Sequence, residues 1–188
     1  MSGRPRDPGV DEAIMRATME LAEESGYRAV SIEGIAARAG ISKQTVYRRY
    51  RSKGEVILDA LAAFAAGRLP APDTGTLQGD LGELLAATFE AQQGISGVLN
   101  RSLAAEAIGD DVFARTVWDR LVAPRRDLVR GLLARARERG ELAYPDEDFL
   151  VDLVYGPMWY RLLFDRAALD AAYARRLAAT VTTVAAGR

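Results

Sequence analysis

The segment IAARAGISKQTVYRRY, residues 35–50, decides the fold of the N-terminal part of the chain. Apolar residues recur at helical spacing on both sides of Gly40, which predicts two short helices joined by a turn. Glycine suits this turn because it adopts a left-handed backbone at little cost. From Arg38 to Lys53 the sequence contains six basic and no acidic residues, although the whole chain has a net charge of −1. A helix-turn-helix with this concentrated positive charge indicates a nucleic-acid partner.

The second of these helices is expected to have a polar outer face. With about 100° between successive residues, a helix that starts after Ser42 and turns Val46 towards the core turns Gln44 and Arg48 away from it. Glutamine can pair with adenine and arginine with guanine in the major groove, and the N-terminal residues of a recognition helix reach the base edges. We therefore expect Gln44 and Arg48 to project from the protein and to read bases.

Phosphate contacts are expected around this helix. Serines at predicted helix starts leave free N–H groups that favour a phosphate. Lys53 lies in the first turn of the fourth helix, where a cation is unfavourable unless an anion faces it. Arg4 and Arg6 precede the first helix, as an arm that can follow the DNA backbone or enter the minor groove. The predicted DNA-contacting residues are Arg4, Arg6, Ser31, Ser42, Lys43, Gln44, Thr45, Tyr47, Arg48 and Lys53.

Residues 10–64 resemble the TetR family of bacterial transcriptional regulators. The resemblance depends on LAEESGYRAVSIEGIAARAGISKQTVYRRYRSKGEVI, residues 21–57, and on the spacing of its glycines, serines and aromatic residues. Gly54 departs from the family pattern, which usually has a helix-favouring residue there, and Tyr50 replaces a more frequent Phe or Trp. The family's operator contacts match Ser42, Lys43, Gln44, Thr45, Tyr47, Arg48 and Lys53 of this chain.

The composition predicts an all-α protein of about nine helices, because Ala, Leu and Arg dominate and strand-like runs are scarce. The stretch LPAPDTGTLQG, residues 69–79, is the clearest break after the fourth helix, and Pro124 is expected to kink or split a helix at 110–138. The predicted parts are a three-helix helix-turn-helix DNA-binding domain with its arm at 1–52, a connecting helix at 53–69, and a C-terminal helical ligand-binding and dimerisation domain at 70–188.

Two apolar stripes in the last two predicted helices favour a homodimer. A single helix-turn-helix makes few contacts, and two-fold dimers on paired half-sites are the usual remedy. The resemblance also implies dimerisation through the final two helices as a four-helix bundle. The alternative is that these stripes only close the core of one chain. The predicted interface residues are Phe149, Leu153, Gly156, Tyr160, Phe164, Tyr173, Leu177 and Val181.

The resemblance implies a small-molecule effector bound in the C-terminal domain. Apolar walls with a few polar groups describe most binding sites, and they equally describe most cores. The chemistry of the effector does not follow from the sequence. The candidate ligand-binding residues are Phe64, Phe89, Gln92, Phe113, Trp118, Tyr155 and Trp159.

The chain contains no His and no Cys, which removes thiolate and His-dependent catalysis, zinc fingers and disulfides. Acidic groups such as Asp110 and Asp111, or the run at 146–148, could bind a metal or act as acid and base. Each lies at a predicted helix start, where acidic residues are expected for capping. We expect no enzyme activity, no cofactor and no metal.

The basic N-terminus is followed by no apolar run, and no stretch approaches the length of a membrane span, so we expect a cytoplasmic protein without a membrane partner. The predicted function is a repressor that binds a palindromic operator in double-stranded DNA as a dimer and is released by a small molecule. The alternative is an architectural DNA-binding protein, which would share the basic residues but would not discriminate between sequences.

Overall fold

The computed structural model describes residues 8–66, 71–164 and 167–187, and these ranges consist mainly of helices. No strand occurs in the described ranges, in agreement with the predicted all-α class. The helices are α1 Pro8–Ala29, α2 Ile32–Ala39, α3 Lys43–Tyr47, α4 Lys53–Ala66, α5 Leu77–Gln92, α6 Ile95–Ile108, α7 Asp111–Val117, a π-helical turn Trp118–Val122, α8 Ala123–Glu138, α9 Glu147–Phe164 and α10 Ala171–Ala185.

The helices form two compact units that do not follow the order of the chain. The first unit contains the residues up to Ala65 together with Val98–Arg120, and the second contains Ala66–Gly97 and Leu121–Arg188. The boundaries predicted from the sequence divide the chain into consecutive pieces instead. The segment Val98–Arg120 therefore packs with the N-terminal helices, and the consecutive boundaries remain a prediction.

The first unit is built around fully buried aliphatic side chains from α1 to α4. Ile14, Ile35, Val46, Ile57 and Leu61 are inaccessible to solvent or nearly so, which is the inward face that their helical spacing predicts. The helix α1 packs against α2, and α2 packs against α3. Gly26, where the sequence suggests the end of the first helix, has φ 74° and kinks α1, which continues to Ala29.

The second unit has a leucine-rich core in which α5 packs against α8 and α10, while α9 packs against α8 and α10. The helix predicted at 110–138 is divided into α7, the π-helical turn and α8. Pro124 follows directly on the π-helical turn, and such a turn accommodates the helical hydrogen bond that a proline cannot donate. Among the helices of the described ranges, none is long and apolar enough to cross a bilayer.

A buried carboxylate joins the start of α5 to the end of α8 within the second unit. Asp80 is inaccessible to solvent, and its Oδ1 accepts hydrogen bonds from the Thr74 backbone N–H at 2.6 Å and from the Thr74 hydroxyl at 2.8 Å. Its other oxygen lies 3.4 Å from Nη2 of Arg139. Because a buried charge must be paired, Asp80 fixes the loop before α5 against α8.

Candidate DNA interface

Local hydrogen bonds set the geometry of the helix-turn-helix. The hydroxyl oxygen of Ser31 accepts from the backbone N–H of Gly34 at 3.1 Å and caps α2. Gly40 has φ 68°, the left-handed conformation that the turn requires, and the Ile41 N–H donates to the Ala36 carbonyl at 3.0 Å. The Ser42 hydroxyl then caps α3 by accepting from the Thr45 N–H at 3.2 Å. Both helix starts are thus fixed by residues that the sequence identifies.

The two faces of α3 confirm the predicted orientation. Val46 is fully buried, and Tyr50, held by a helical hydrogen bond to the Val46 carbonyl at 3.0 Å, is buried as well. Gln44, Tyr47 and Arg48 are exposed on the opposite side. The short helix is therefore anchored by one face and presents an amide, a phenol and a guanidinium on the other.

Not all the positive charge of this segment is available to a partner. The Arg38 guanidinium pairs with Glu24 at 2.7 Å and with Glu20 at 3.3 Å, and hydrogen bonding to Arg38 lowers the pKa of Glu24. Arg49 pairs with Asp11 at 2.7 Å. Counting charges along the segment overlooks these carboxylates because they lie on α1. Arg38 is exposed but its charge is matched by these carboxylates, and Arg49 is partly buried, while Lys43, Arg48 and Arg51 are further exposed basic residues.

Lys53 and Thr45 are partly buried and have partners in the first unit. The Lys53 ammonium donates to the Tyr27 carbonyl at 3.2 Å and lies 4.2 Å from the centroid of the Tyr27 ring. An ammonium has three donors, so this contact leaves donors for a phosphate. The Thr45 hydroxyl lies 2.9 Å from that of Ser42 and accepts from Nη2 of Arg48 at 3.3 Å. Arg4 and Arg6, the predicted arm, lie outside the described residues.

Gly54 departs from the family pattern because other parts of the first unit approach it closely. A Cβ atom at this position would lie 2.6 Å from Oε1 of Glu106 on α6 and 2.8 Å from Cζ of Phe113 on α7. The other oxygen of Glu106 accepts a hydrogen bond from the Tyr27 hydroxyl. Burial and this bond raise the pKa of Tyr27, so its hydroxyl stays protonated. The start of α4, Tyr27 and the end of α6 therefore form one packed group beside Lys53.

We expect Gly54→Ala to lower the free energy of unfolding by about 1 kcal/mol, because overpacking costs about 1–3 kcal/mol and exceeds the gain in helix propensity. Glu106 can move away only by giving up its bond to Tyr27, and Phe113 is buried. Urea denaturation measures the change. Gly131→Ala is the matched control, since nothing lies within 4 Å of a Cβ at that helical position. Equal stability of the two variants would contradict the close approach at Gly54.

The seven ligand candidates do not lie in one unit. Phe64, Phe113 and Trp118 belong to the first unit, and the other four belong to the second. Trp118 is 50% exposed, and its place in a ligand site stays a prediction. Phe89 is fully buried and stacks on Tyr173 with ring centroids 5.7 Å apart, which is a core contact.

A cavity of about 330 Å³ in the first unit contains none of these candidates. Its charged side chains form two ion pairs, Arg49 with Asp11 at 2.7 Å and Arg120 with Asp59 at 2.8 Å. The lining residues are Asp11, Met15, Arg49, Tyr50, Asp59 and Arg120. Because the positive and negative charges are matched, the cavity gives no sign of a charged ligand.

The burial of side chains on the last helix, α10, contradicts part of the predicted dimer interface. Val181 is 0% exposed and Leu177 is also buried, both in the core of the second unit, while Tyr173 packs partly buried on Phe89. The prediction that Leu177 and Val181 face a partner is wrong, because this part of the α10 stripe packs against α5 and α9, whereas the place of Tyr173 in an interface stays a prediction. The alternative, that the stripe closes the core of one chain, holds for α10.

The stripe of α9 differs, because most of it is exposed. Tyr160 is 65% exposed, and Phe149, Gly156 and Phe164 are exposed too, while Leu153 is partly buried. The rings of Tyr160 and Phe164 lie 5.5 Å apart. Leu163 is also exposed and extends this surface. Leu163 was not among the predicted interface residues, although its spacing of three from Tyr160 places it on the same side of the helix. We call Phe149, Gly156, Tyr160, Leu163 and Phe164 the α9 surface.

Both parts of the chain match known families. Residues 14–60 match the family described as bacterial regulatory proteins, tetR family. Residues 71–181 match the tetracyclin repressor-like C-terminal domain. Together these matches cover the helix-turn-helix and most of the helices after α4.

Individual proteins agree with this result. The chain is 35% identical to the uncharacterized HTH-type transcriptional regulator YdeS of Bacillus subtilis (strain 168), over 93% of this chain and 89% of that protein. The crystal structure of the TetR family transcription regulator SCO0332 matches with a TM-score of 0.83 at 29% identity, over 93% of this chain and 97% of that one. Thermus thermophilus FadR, a TetR family transcriptional repressor in complex with lauroyl-CoA, matches with a TM-score of 0.70 at 25% identity, over 92% and 93%. The chain therefore belongs to the TetR family, and it is a DNA-binding transcriptional regulator rather than an enzyme.

Proposed function

We propose that the protein is a repressor that binds a palindromic operator as a homodimer and is released from it by a small-molecule effector. The observation that carries this proposal is the exposed face of α3, on which Gln44 and Arg48 lie opposite the buried Val46. The amide and the guanidinium are the groups that recognise adenine and guanine in the major groove. Ser31, Ser42, Lys43, Thr45, Tyr47 and Lys53 surround them as proposed backbone and base contacts.

The α9 surface supports a homodimer. Large apolar side chains such as Tyr160, Leu163 and Phe164 are exposed on neighbouring turns of one helix. Contiguous apolar patches on a soluble domain mark interaction sites. Two-fold symmetry lets the same surface cover itself, and it gives two recognition helices for two half-sites. We therefore propose that α9, rather than the apolar stripe of α10, supplies most of the contact.

The second unit is the proposed place of the effector. Of the residues predicted from the sequence, Gln92, Tyr155 and Trp159 are buried or partly buried polar or aromatic groups of this unit. The lauroyl-CoA bound by Thermus thermophilus FadR supports a small-molecule effector for a protein of this fold. An effector lowers operator affinity only if it binds the DNA-free conformation more tightly than the DNA-bound one.

Selection of bound sequences from a random DNA pool tests the proposal. We expect enrichment of an inverted repeat whose half-sites are separated by about 10 base pairs or a multiple of this spacing, because each recognition helix enters one major groove. Binding that depends steeply on salt but enriches no sequence would instead support the architectural alternative.

A further inference from the structure

Tyr27 lies between two opposite charges of the first unit. The Lys53 ammonium donates to the Tyr27 backbone carbonyl at 3.2 Å and lies 4.2 Å from the centroid of its ring. The Tyr27 hydroxyl donates to Oε2 of Glu106, which belongs to the last turn of α6. Three segments that are far apart in the sequence, the ends of α1 and α6 and the start of α4, therefore meet at one aromatic residue.

Gly54 allows the carboxylate to come this close. A Cβ atom at this position would lie 2.6 Å from Oε1 of Glu106, so a larger residue would force the carboxylate to move. Gly54 is buried, and it directly follows Lys53 in the chain. The departure from a helix-favouring residue thus occurs where Glu106 approaches the lysine-bearing turn of α4.

Lys53 and Glu106 are held by the same tyrosine but do not pair with each other. Within the described ranges, neither the ammonium nor the carboxylate lies within ion-pair distance of an opposite charge. A direct salt bridge would use the charge of Lys53 inside the protein. With Tyr27 between the two groups, the ammonium is held in place and keeps its charge and further N–H donors for a partner outside the protein.

The carboxylate also acts on the lysine through the ring. A cation is attracted to the face of an aromatic ring by the negative potential of that face. A phenol that donates to a carboxylate becomes richer in electrons, and interactions in such a chain strengthen one another. Burial and the bond to Glu106 raise the pKa of Tyr27, so its hydroxyl remains a donor at neutral pH. Loss of the Glu106 carboxylate should therefore loosen the Lys53 ammonium.

We propose that Tyr27 and Glu106 are positioning residues for DNA binding, which hold the Lys53 ammonium where it meets a phosphate of the DNA backbone. This inference rests on the proposed function, because it adds two residues to the proposed DNA-binding site. A lysine side chain is flexible, and fixing it before binding lowers the entropy cost of the phosphate contact. Neither Tyr27 nor Glu106 is among the contacts predicted from the sequence.

The position of the ammonium can be measured without DNA, because Lys43 and Lys53 are the two lysines of the chain. In protein with isotope-labelled lysine, the ring current of Tyr27 should shift the ε-methylene protons of Lys53 upfield in the NMR spectrum. Lys43 is exposed and serves as the internal reference. Glu106→Ala should move the Lys53 signal towards that of Lys43. A Lys53 signal that Glu106→Ala leaves unchanged, or that never differs from that of Lys43, overturns the proposal.

Glu106→Gln is the matched control, since its amide oxygen can accept the same hydrogen bond from Tyr27. It should retain most of the upfield shift of Lys53. Both substitutions remove the same negative charge, so a general effect of charge would change the two variants equally. Loss of the shift in both variants would show that the hydrogen bond does not hold the lysine and would also overturn the proposal.

Binding to a short random-sequence duplex at low salt measures the consequence for DNA. We expect Glu106→Ala to bind about threefold or more weakly than Glu106→Gln, the factor that corresponds to the loss of one ordinary hydrogen bond. Thermal unfolding of each variant gives the temperature below which it is fully folded, and binding is measured there. Equal affinity of the two variants would contradict a role of this bond in DNA binding.

A double-mutant cycle with Lys53→Ala separates positioning from a structural role. If Glu106 acts through Lys53, then Glu106→Ala and Glu106→Gln should bind the duplex equally well once Lys53 is removed. A difference that persists in the Lys53→Ala protein would show that Glu106 acts through the general packing of the first unit. That result would overturn its assignment as a positioning residue.

Two results distinguish a failure of this inference from a failure of the proposed function. If Lys53→Ala binds the random duplex as tightly as the wild type, there is no phosphate contact to position and the inference is overturned. An inverted repeat recovered from the random DNA pool would still support the repressor in that case. If the cycle couples Glu106 to Lys53 but the pool yields no preferred sequence, the positioning is established and the sequence-specific repressor is refuted.

Discussion

Arg48→Ala is expected to abolish most of the preference for the operator over bulk DNA while the variant retains its non-specific affinity. Arg48 is exposed at the end of α3, and its guanidinium donates to the Thr45 hydroxyl at 3.3 Å, so truncation leaves the buried core unchanged. A bidentate arginine–guanine pair contributes about 1–3 kcal/mol of discrimination, which lowers specificity about 5- to 150-fold for each half-site. Competition binding against bulk DNA at a fixed salt concentration measures this ratio.

Lys53→Ala provides the contrasting result. A phosphate contact carries no sequence information, so we expect Lys53→Ala to weaken binding to operator and to bulk DNA by similar factors. It should also reduce the slope of log affinity against log salt by about 1 for each half-site. Since Lys53 also holds Tyr27, thermal unfolding must accompany the binding measurement.

Arg28→Ala is the control for both variants, because Arg28 is an exposed basic residue at the end of α1 that is not among the predicted contacts. It should leave affinity and specificity unchanged. If Arg48→Ala loses affinity equally for every DNA, Arg48 contacts the backbone rather than a base. In that case Gln44 or another residue of the exposed face must recognise the operator bases.

The local part of this site follows from the sequence for a clear physical reason. The capping serines, Gly40 and the opposed faces of α3 depend on residues within about one or two helical turns of each other, so periodicity and capping rules describe them. The sequence does not show which basic residues of the same segment are paired with carboxylates. Arg49 is paired with Asp11, 38 positions away, and only the tertiary packing of the first unit brings the two together.

The second half shows what an apolar stripe leaves undetermined. Val181 on α10 and Tyr160 on α9 belong to stripes with the same helical spacing, yet the first is fully buried and the second is 65% exposed. A stripe indicates that a face is covered but not whether the cover comes from the same chain or from a partner. Gly54 and Glu106 likewise lie close together in the structure although they are far apart in sequence. The sequence therefore indicates only that Gly54 weakens the start of a helix and does not predict this close approach.

Tyr160→Glu is expected to convert the proposed dimer into a monomer and to reduce operator affinity at least about 30-fold, because a carboxylate buried in an apolar interface costs about 2 kcal/mol or more. In a two-fold interface the substitution occurs twice, and the two negative charges oppose association further. Sedimentation at several protein concentrations measures the dimer, and operator binding measures the loss of simultaneous contact with two half-sites.

Ile108→Glu tests whether any charge on an exposed apolar residue would have the same effect. Ile108 is 85% exposed in the first unit, so this variant matches the change in side chain but lies off the α9 surface. It should remain a dimer with unaltered operator affinity. If Tyr160→Glu also remains a dimer, the partner must instead use the exposed side of α10, where Arg175, Thr180 and Thr183 lie. If it becomes a monomer that still binds the full operator as tightly as the wild type, the two half-sites do not act together, and the palindromic operator must be abandoned.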